Sequence, residues 1–215
     1  MGGVYITALK ILTSISSLCV CLSPAPSIHQ VYKLRNIGEL SVIPFVSILA
    51  NCHVWMFYGL LTSKLFPIFV TFITGECLAI FFMLIYFSVT LDKKYVVKVV
   101  ACVCSFLFAI TMYAILGKAG VIQQTSHQVE RTMGSVGVAV SIVLYASPFE
   151  TNRQVIETKS AALIPIVMCV IGIVGNFLWV AYGTLDSDNF LIVVNAVCVA
   201  IGVVQIALYL IYMPK

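Results

Sequence analysis

Two tryptophans, each followed three positions later by a tyrosine, carry most of the chemistry open to this chain. Trp55 and Tyr58 share one helical face with Asn51, and Trp179 and Tyr182 repeat the same spacing. A flat ring stacks on the apolar C–H face of a pyranose, while amide and hydroxyl groups bond its hydroxyls. The same residues also serve as packing rings or as interfacial anchors near the end of a membrane span. Glu76 is the one acidic residue deep inside an apolar stretch, so it is either a proton site on a pathway or a neutral acid bonding a neighbouring helix. His53 lies roughly opposite Asn51 and Trp55 in helical angle, which predicts a contact with another helix.

Metal and nucleophile chemistry find no foothold. The eight cysteines (Cys19, Cys21, Cys52, Cys77, Cys102, Cys104, Cys169 and Cys198) sit in apolar stretches. Residues two apart on a helix point to nearly opposite sides, so neither Cys-x-Cys pair can share a metal. They read as small packing residues. No Ser/His/Asp set, phosphate-binding loop or dinucleotide fingerprint is present, so no enzyme, cofactor or metal is expected.

The elements that position these residues must lie in a membrane. The chain is 61% hydrophobic and only 9% charged, with a mean hydropathy of +1.10. Apolar stretches of spanning length, roughly 18 residues or more, recur at about 5–26, 42–61, 66–90, 95–117, 132–148, 162–185 and 189–213. The fold class is therefore all-α, because an open strand edge could not satisfy its backbone in lipid. The first stretch, with Lys10 as its charged end, has the look of a signal peptide. Its Pro24 has a partner at Pro148, however, which makes it part of the repeat.

That repeat covers the chain. Ser23-Pro24, Gln30-Val31 and Trp55-x-x-Tyr58-Gly59 recur as Ser147-Pro148, Gln154-Val155 and Trp179-x-x-Tyr182-Gly183, every residue 124 positions later. Spans one to three and five to seven form two units, with span four left over. Pairing the first span with the fifth is an even displacement, so both units face the same way, and the odd helix between them is what makes that possible. The organisation is a first three-helix bundle over 1–94, a linker helix over 95–120 and a second bundle over 121–215.

Charge orients the bundle. Lys33, Arg35, Lys93, Lys94, Lys98, Arg153, Lys159 and Lys215 fall on one side, against Lys10, Lys64, Lys118 and Arg131 on the other. The richer side belongs in the cytosol, which puts the N-terminus outside or in a lumen and the C-terminus inside. A net charge of +4 needs no nucleic acid to explain it.

The segments "LSPAPSIHQVYKLRNIGELSVIP", "NCHVWMFYGLL", "YASPFETNRQVIETKSAALIP" and "WVAYGTLDSDNFLIVVNAV" resemble the SWEET sugar transporters, and the likeness spans almost the whole chain. It implies two triple-helix bundles joined by a linker helix, and passive, bidirectional sugar transport by alternating access. Pro24, Pro44, Pro148 and Pro165 match the family's proline tetrad. Proline removes a backbone donor, so four near one end of the helices would act as hinges. Trp55 and Trp179 correspond to the residues that flank the sugar, and Asn195 to a sugar-binding asparagine. Its expected twin is replaced by Phe72, with Glu76 one turn further along the same face. Asp188 matches an outer-gate aspartate whose partner is the equivalent of Tyr58. Two bulky tryptophans would narrow the pocket towards a monosaccharide. Gln205 reads as helix-packing glue. The resemblance also leads to the expectation of a polar cytosolic tail after Lys215, and the protein is expected in the plasma membrane or an organelle membrane.

Two other readings fit parts of the same pattern. Glu76 and the missing asparagine favour a proton-coupled carrier of a small polar metabolite, such as an amino acid, of the related PQ-loop type. The Pro-Gln dipeptide of that type is absent, because Pro26 precedes Ser27. A seven-span receptor would not be duplicated three plus three. The implied partners are a small sugar and the lipid bilayer, with a homo-oligomer compatible.

Overall fold

The computed structural model describes residues 2–38, 40–144 and 146–213, and gives the backbone alone for residues 146–150 and Leu163. Among these residues the chain is helical, with no strand. The helices are α1 (Gly2–Cys21), α2 (Ala25–Leu34), α3 (Ile43–Leu61), α4 (Val70–Val89), α5 (Lys93–Lys118), α6 (Ser126–Leu144), α7 (Ala146–Thr158), α8 (Ile166–Leu185) and α9 (Asn189–Tyr212). Six helical stretches are long and apolar enough to cross a membrane: Gly3–Leu34, Ile43–Leu61, Leu65–Val89, Lys93–Lys118, Ile166–Leu185 and Asn189–Tyr212. α6 takes the remaining place in the order, opening on the polar Ser126-His127-Gln128.

Prolines account for where the helix ends depart from the sequence expectation. The first span was expected over 5–26, but helix continues to Leu34 with a break at Pro24 between α1 and α2. Pro24 keeps helical angles (φ −77°, ψ −9°) and its carbonyl still accepts from Ile28 N at 3.0 Å; the missing N–H is what divides the rod. Pro44 is the second residue of α3, and Pro165 immediately precedes α8. A proline in the first turn forfeits no intrahelical bond and pre-sets φ, so these two start helices. The sixth span accordingly begins at Ile166 instead of 162, after a single turn over Ala161–Leu163. Pro148 falls in the first turn of α7, its side chain outside the described residues, as Lys215 is altogether. Helix at the fifth position starts at Ser126, earlier than the expected 132, and Tyr145 lies outside the described residues.

The duplication is written in the backbone as well. Arg35 and Lys159 both take φ 53°, and Ser63 and Ser187 take φ 59° and 53°. Each pair is separated by the 124 positions of the sequence repeat. A left-handed conformation costs a residue with a Cβ roughly 1–2 kcal/mol, so its recurrence marks two copies of one turn. Lys64 N bonds Gly59 O at 2.8 Å, and Asp188 N bonds Gly183 O at the same 2.8 Å.

Packing divides the chain into two compact units, one of residues 1–20 with 141–215 and the other of residues 21–140. Each mixes parts of both sequence repeats. In the 21–140 unit, Ile28, Val42, Phe45, Val46, Phe82, Tyr86 and Val96 form a core, and the Tyr86 hydroxyl donates to Leu40 O at 2.9 Å. In the other unit, Val155, Ile164 and Cys169 pack with Ile206 and Tyr209. Large apolar side chains such as Phe81, Leu84, Phe108, Phe177 and Leu210 are more than half exposed. On an integral, multi-pass membrane protein, those are the side chains that meet lipid.

Candidate functional site

Within the 21–140 unit, α3 and α4 run antiparallel, and glycine lets them close. A Cβ at Gly59 would lie 2.9 Å from Phe69 N, and one at Gly75 would lie 2.8 Å from Cys52 Sγ. That register sets Phe72 level with Trp55, and the two rings stack with centroids 6.2 Å apart and planes 25° apart. Tyr58 meets Trp55 edge-on at 5.3 Å. A Cβ on Gly137 of α6 would come within 3.1 Å of the same indole. Trp55 is 2% exposed as a result.

The 1–20/141–215 unit builds its half differently. α8 and α9 close at Gly183, against Leu191 and Ile192, and again at Gly202, against Ile173. Three residues on from Ile192 stands Asn195, as Phe72 stands three on from Phe69, so in the register of the fold Phe72 occupies the place of Asn195. The same register puts Asn195 level with Val180, beside Trp179. The indole Nε1–H of Trp179 donates to Ser17 Oγ on α1 at 2.6 Å, and Tyr182 meets the ring edge-on at 5.9 Å. Asn195 is 9% exposed and donates from Nδ2 to Leu191 O at 2.8 Å. Asn176, one helical step before Trp179, likewise donates to Gly172 O at 2.7 Å. One tryptophan is therefore covered by a ring, while the other is fixed by a hydroxyl.

A polar chain crosses three helices of the 21–140 unit. His53 Nδ1 on α3 lies 2.8 Å from Glu76 Oε1 on α4, and His53 Nε2 lies 2.8 Å from Thr111 Oγ1 on α5. Both members of the pair are mostly buried, at 15% and 16% side-chain exposure. Glu76 Oε2 is buried without a hydrogen-bond partner. His53 thus makes the expected contact with another helix, and it makes two.

In the turn between α8 and α9, Asp188 is 4% exposed and caps α9, its Oδ1 accepting from Phe190 N at 3.1 Å and Leu191 N at 3.2 Å. It is not a solvated loop acid. Lys10 lies midway along α1 with its ammonium 5.9 Å from the Tyr182 ring centroid. Asn51 is half-buried on α3. Gln205 accepts from Cys169 Sγ at 3.5 Å, which ties α9 to α8. Among the described residues no cluster of His, Cys, Asp or Glu could hold a metal.

Sequence reasoning missed Ser17, Thr111, Asn176 and Gly137. Asn176 alone carried a usable signal, because it sits three residues before Trp179 on one helix face. The other three act across elements far apart in the chain.

Comparisons with known proteins agree with this architecture. The family described as "Sugar efflux transporter for intercellular exchange" matches residues 7–94 and 131–215. The bidirectional sugar transporter SWEET3 of Arabidopsis thaliana is 30% identical over all of this chain and 82% of its own length. SWEET3b of Oryza sativa subsp. japonica is 32% identical over 95% of this chain and 82% of its own. A solved eukaryotic SWEET transporter superposes with a TM-score of 0.82 at 20% identity, covering 97% of each chain, and so shares the 3+1+3 seven-helix fold. With the family matched across both repeats and the fold shared end to end, the chain belongs to the SWEET family of sugar transporters.

Proposed function

We propose that this protein is a passive, bidirectional sugar carrier that works by alternating access and takes a monosaccharide. The observation that carries this reading is the Trp179 indole, locked by Ser17 at 2.6 Å, in the same unit as the buried amide of Asn195. A ring whose torsions are already fixed loses little entropy when a sugar stacks on it. Asn195 spends its Nδ2 on Leu191 O, which leaves the amide oxygen to accept from a sugar hydroxyl. In the 21–140 unit we assign sugar-facing roles to Asn51 and Trp55, with Phe72 stacked on that indole. Phe72 fills the position of the second amide, so this carrier holds its sugar with fewer polar contacts and favours the smaller ring.

Tyr58 and Asp188 are the outer gate in this reading. Of the prolines Pro24, Pro44, Pro148 and Pro165, Pro24 supplies the bending point within a span, while Pro44 and Pro165 set where their helices begin. The first bundle over 1–94 and the second over 121–215 rock about the site, with the linker helix between them. The N-terminus faces outward or into a lumen, and the C-terminus the cytosol. The test is uptake of labelled monosaccharide into vesicles carrying the purified protein, with and without a pH gradient. Equal filling in both, with counterflow of preloaded sugar, supports uniport. No sugar movement at any pH rejects it.

One observation favours a second reading. The His53–Glu76 pair lies within the spans and could carry a proton along with a small polar metabolite such as an amino acid. That reading requires accumulation against a gradient when protons are allowed to run down theirs.

A further inference from the structure

We infer that Glu76, His53 and Thr111 form a proton-binding site that the carrier uses as a brake on turnover, binding the proton without transporting it. The ligand is a single proton shared by a carboxylate and an imidazole, and the third member fastens the pair to the linker helix. For its transport readout the inference rests on the sugar-carrier reading; for its proton readout it does not.

The geometry is that of a relay: Oε1 to Nδ1 at 2.8 Å, then Nε2 to Thr111 Oγ1 at 2.8 Å. Carboxylate, imidazole and hydroxyl in that order also occur in hydrolases, where the hydroxyl attacks a carbonyl. Here Thr111 lies inside the helix α5, whose backbone N–H groups are committed to the helix, so nothing is left to hold an oxyanion. What the trio can do is hold a proton and pass on its loss.

Counting charge gives the direction. With the proton present the pair is neutral overall, whether as carboxylic acid and imidazole or as carboxylate and imidazolium. Without it the pair carries one net negative charge among helices that must slide in lipid. Glu76 Oε2, buried and unpartnered, has no donor waiting to share that charge. The surroundings offer little more. From α3, Cys52 lies within electrostatic reach of Glu76 and shares a side-chain hydrogen bond with Cys21 at the end of α1. From α4 the next titratable group is Cys77, which is exposed, and α5 presents Thr111. Among the described residues the recorded partner of Glu76 is His53. A net charge in this setting is stable only when water reaches it, so deprotonation favours the conformation that hydrates the site and slows departure from it.

The experiment measures sugar counterflow in vesicles with equal pH on both sides, alongside pH-difference infrared spectra of the same protein. Scanned from about pH 5 to 8, the range in which histidine acts as a switch, turnover should fall at least about threefold as pH rises. A carboxylic or imidazole band should titrate with the same midpoint. Glu76→Gln should run at the acid-side rate at every pH and lose the titrating band. His53→Gln should also flatten the profile, while Thr111→Val should keep a titration with a displaced midpoint. A flat wild-type profile without a titrating band overturns the inference, as does a Glu76→Gln profile that still follows the wild type. Sugar accumulation driven by an imposed proton gradient overturns it too, because the proton would then be carried. If counterflow is missing at every pH while the band still titrates and vanishes in Glu76→Gln, the proton site stands and the sugar reading falls.

Discussion

Phe72 stacks on Trp55, centroids 6.2 Å apart and planes 25° from parallel. That stack takes one face of the indole, the face a sugar would need. Phe72→Asn should uncover the ring and restore an amide at the position equivalent to Asn195. The expected outcome is roughly a fivefold to tenfold gain in monosaccharide affinity, since one good hydrogen bond contributes on the order of 1 kcal/mol. Competition between labelled glucose and a panel of sugars checks it. Unchanged affinity and selectivity would mean that Trp55 is a packing residue throughout the cycle.

Trp179 makes the complementary case. Trp179→Ala removes the fixed stacking surface and should lower transport about fivefold or more while the protein remains inserted, as the loss of about 1 kcal/mol of aromatic stacking would require. Ser17→Ala keeps the ring but frees its Nε1–H, which donates at 2.6 Å. It should raise the half-saturation concentration several-fold with a smaller change in maximal rate. If Ser17→Ala alters only the maximal rate, the hydroxyl serves helix movement and not the ring.

How much of this could be read from the chain depends on distance along it. The tryptophan faces, the spans and the duplication are periodic, and periodicity survives without coordinates. The 124-residue interval that joins Trp55 to Trp179 also joins the left-handed residues Arg35 and Lys159. The partner of His53 on α5 could not be read, because a contact between residues 58 apart leaves no local pattern. Ser17 and Trp179 are 162 apart, and nothing near Ser17 announces an indole. The helix start at Ile166, against an expected 162, was displaced because a proline looks alike in sequence whether it breaks a helix or begins one.

Asp188 must be tested with its second role in view. It caps α9 through Phe190 N and Leu191 N, so Asp188→Ala should cost about 1 kcal/mol of stability whatever the gate does. Asp188→Asn keeps a capping oxygen and removes only the charge. A gate that depends on the carboxylate predicts impaired exchange in Asp188→Asn with normal thermal stability in detergent. A cysteine pair at Tyr58 and Asp188 should crosslink only when the carrier faces inward. Crosslinking that is indifferent to conformation would dismiss the gate.

The prolines separate by position. Pro24 lies between two helices, whereas Pro44 and Pro165 begin theirs. Pro24→Ala restores a donor where helix could run on, straightening the junction and shifting the balance of end states. Its turnover should fall several-fold with binding nearly intact. Pro44→Ala, in a first turn that needs no donor, should do much less. Equal losses from both would assign the four prolines one common mechanical role despite their different settings.

The repeat-related glycines Gly59 and Gly183 differ in how tightly the facing helix approaches them, and this yields the last test. A Cβ at Gly59 would meet the backbone nitrogen of Phe69 at 2.9 Å and Ile68 Cγ2 at 2.8 Å. At Gly183 the equivalent approaches are 3.3 Å to Ile192 N, 3.1 Å to Ile192 Cγ1 and 3.2 Å to Leu191 Cβ. A side chain can turn aside, but a backbone nitrogen cannot without moving its helix. Gly59→Ala should therefore push α4 from α3, disturb the Trp55–Phe72 stack and destabilise the protein by about 1–3 kcal/mol. Gly183→Ala should be absorbed by a few tenths of an ångström of movement in Ile192 and Leu191, with a smaller loss. Thermal unfolding of both variants in nanodiscs ranks them. Gly183→Ala proving the more damaging would show that the second repeat, with Asn195 and Trp179, is the less yielding of the two.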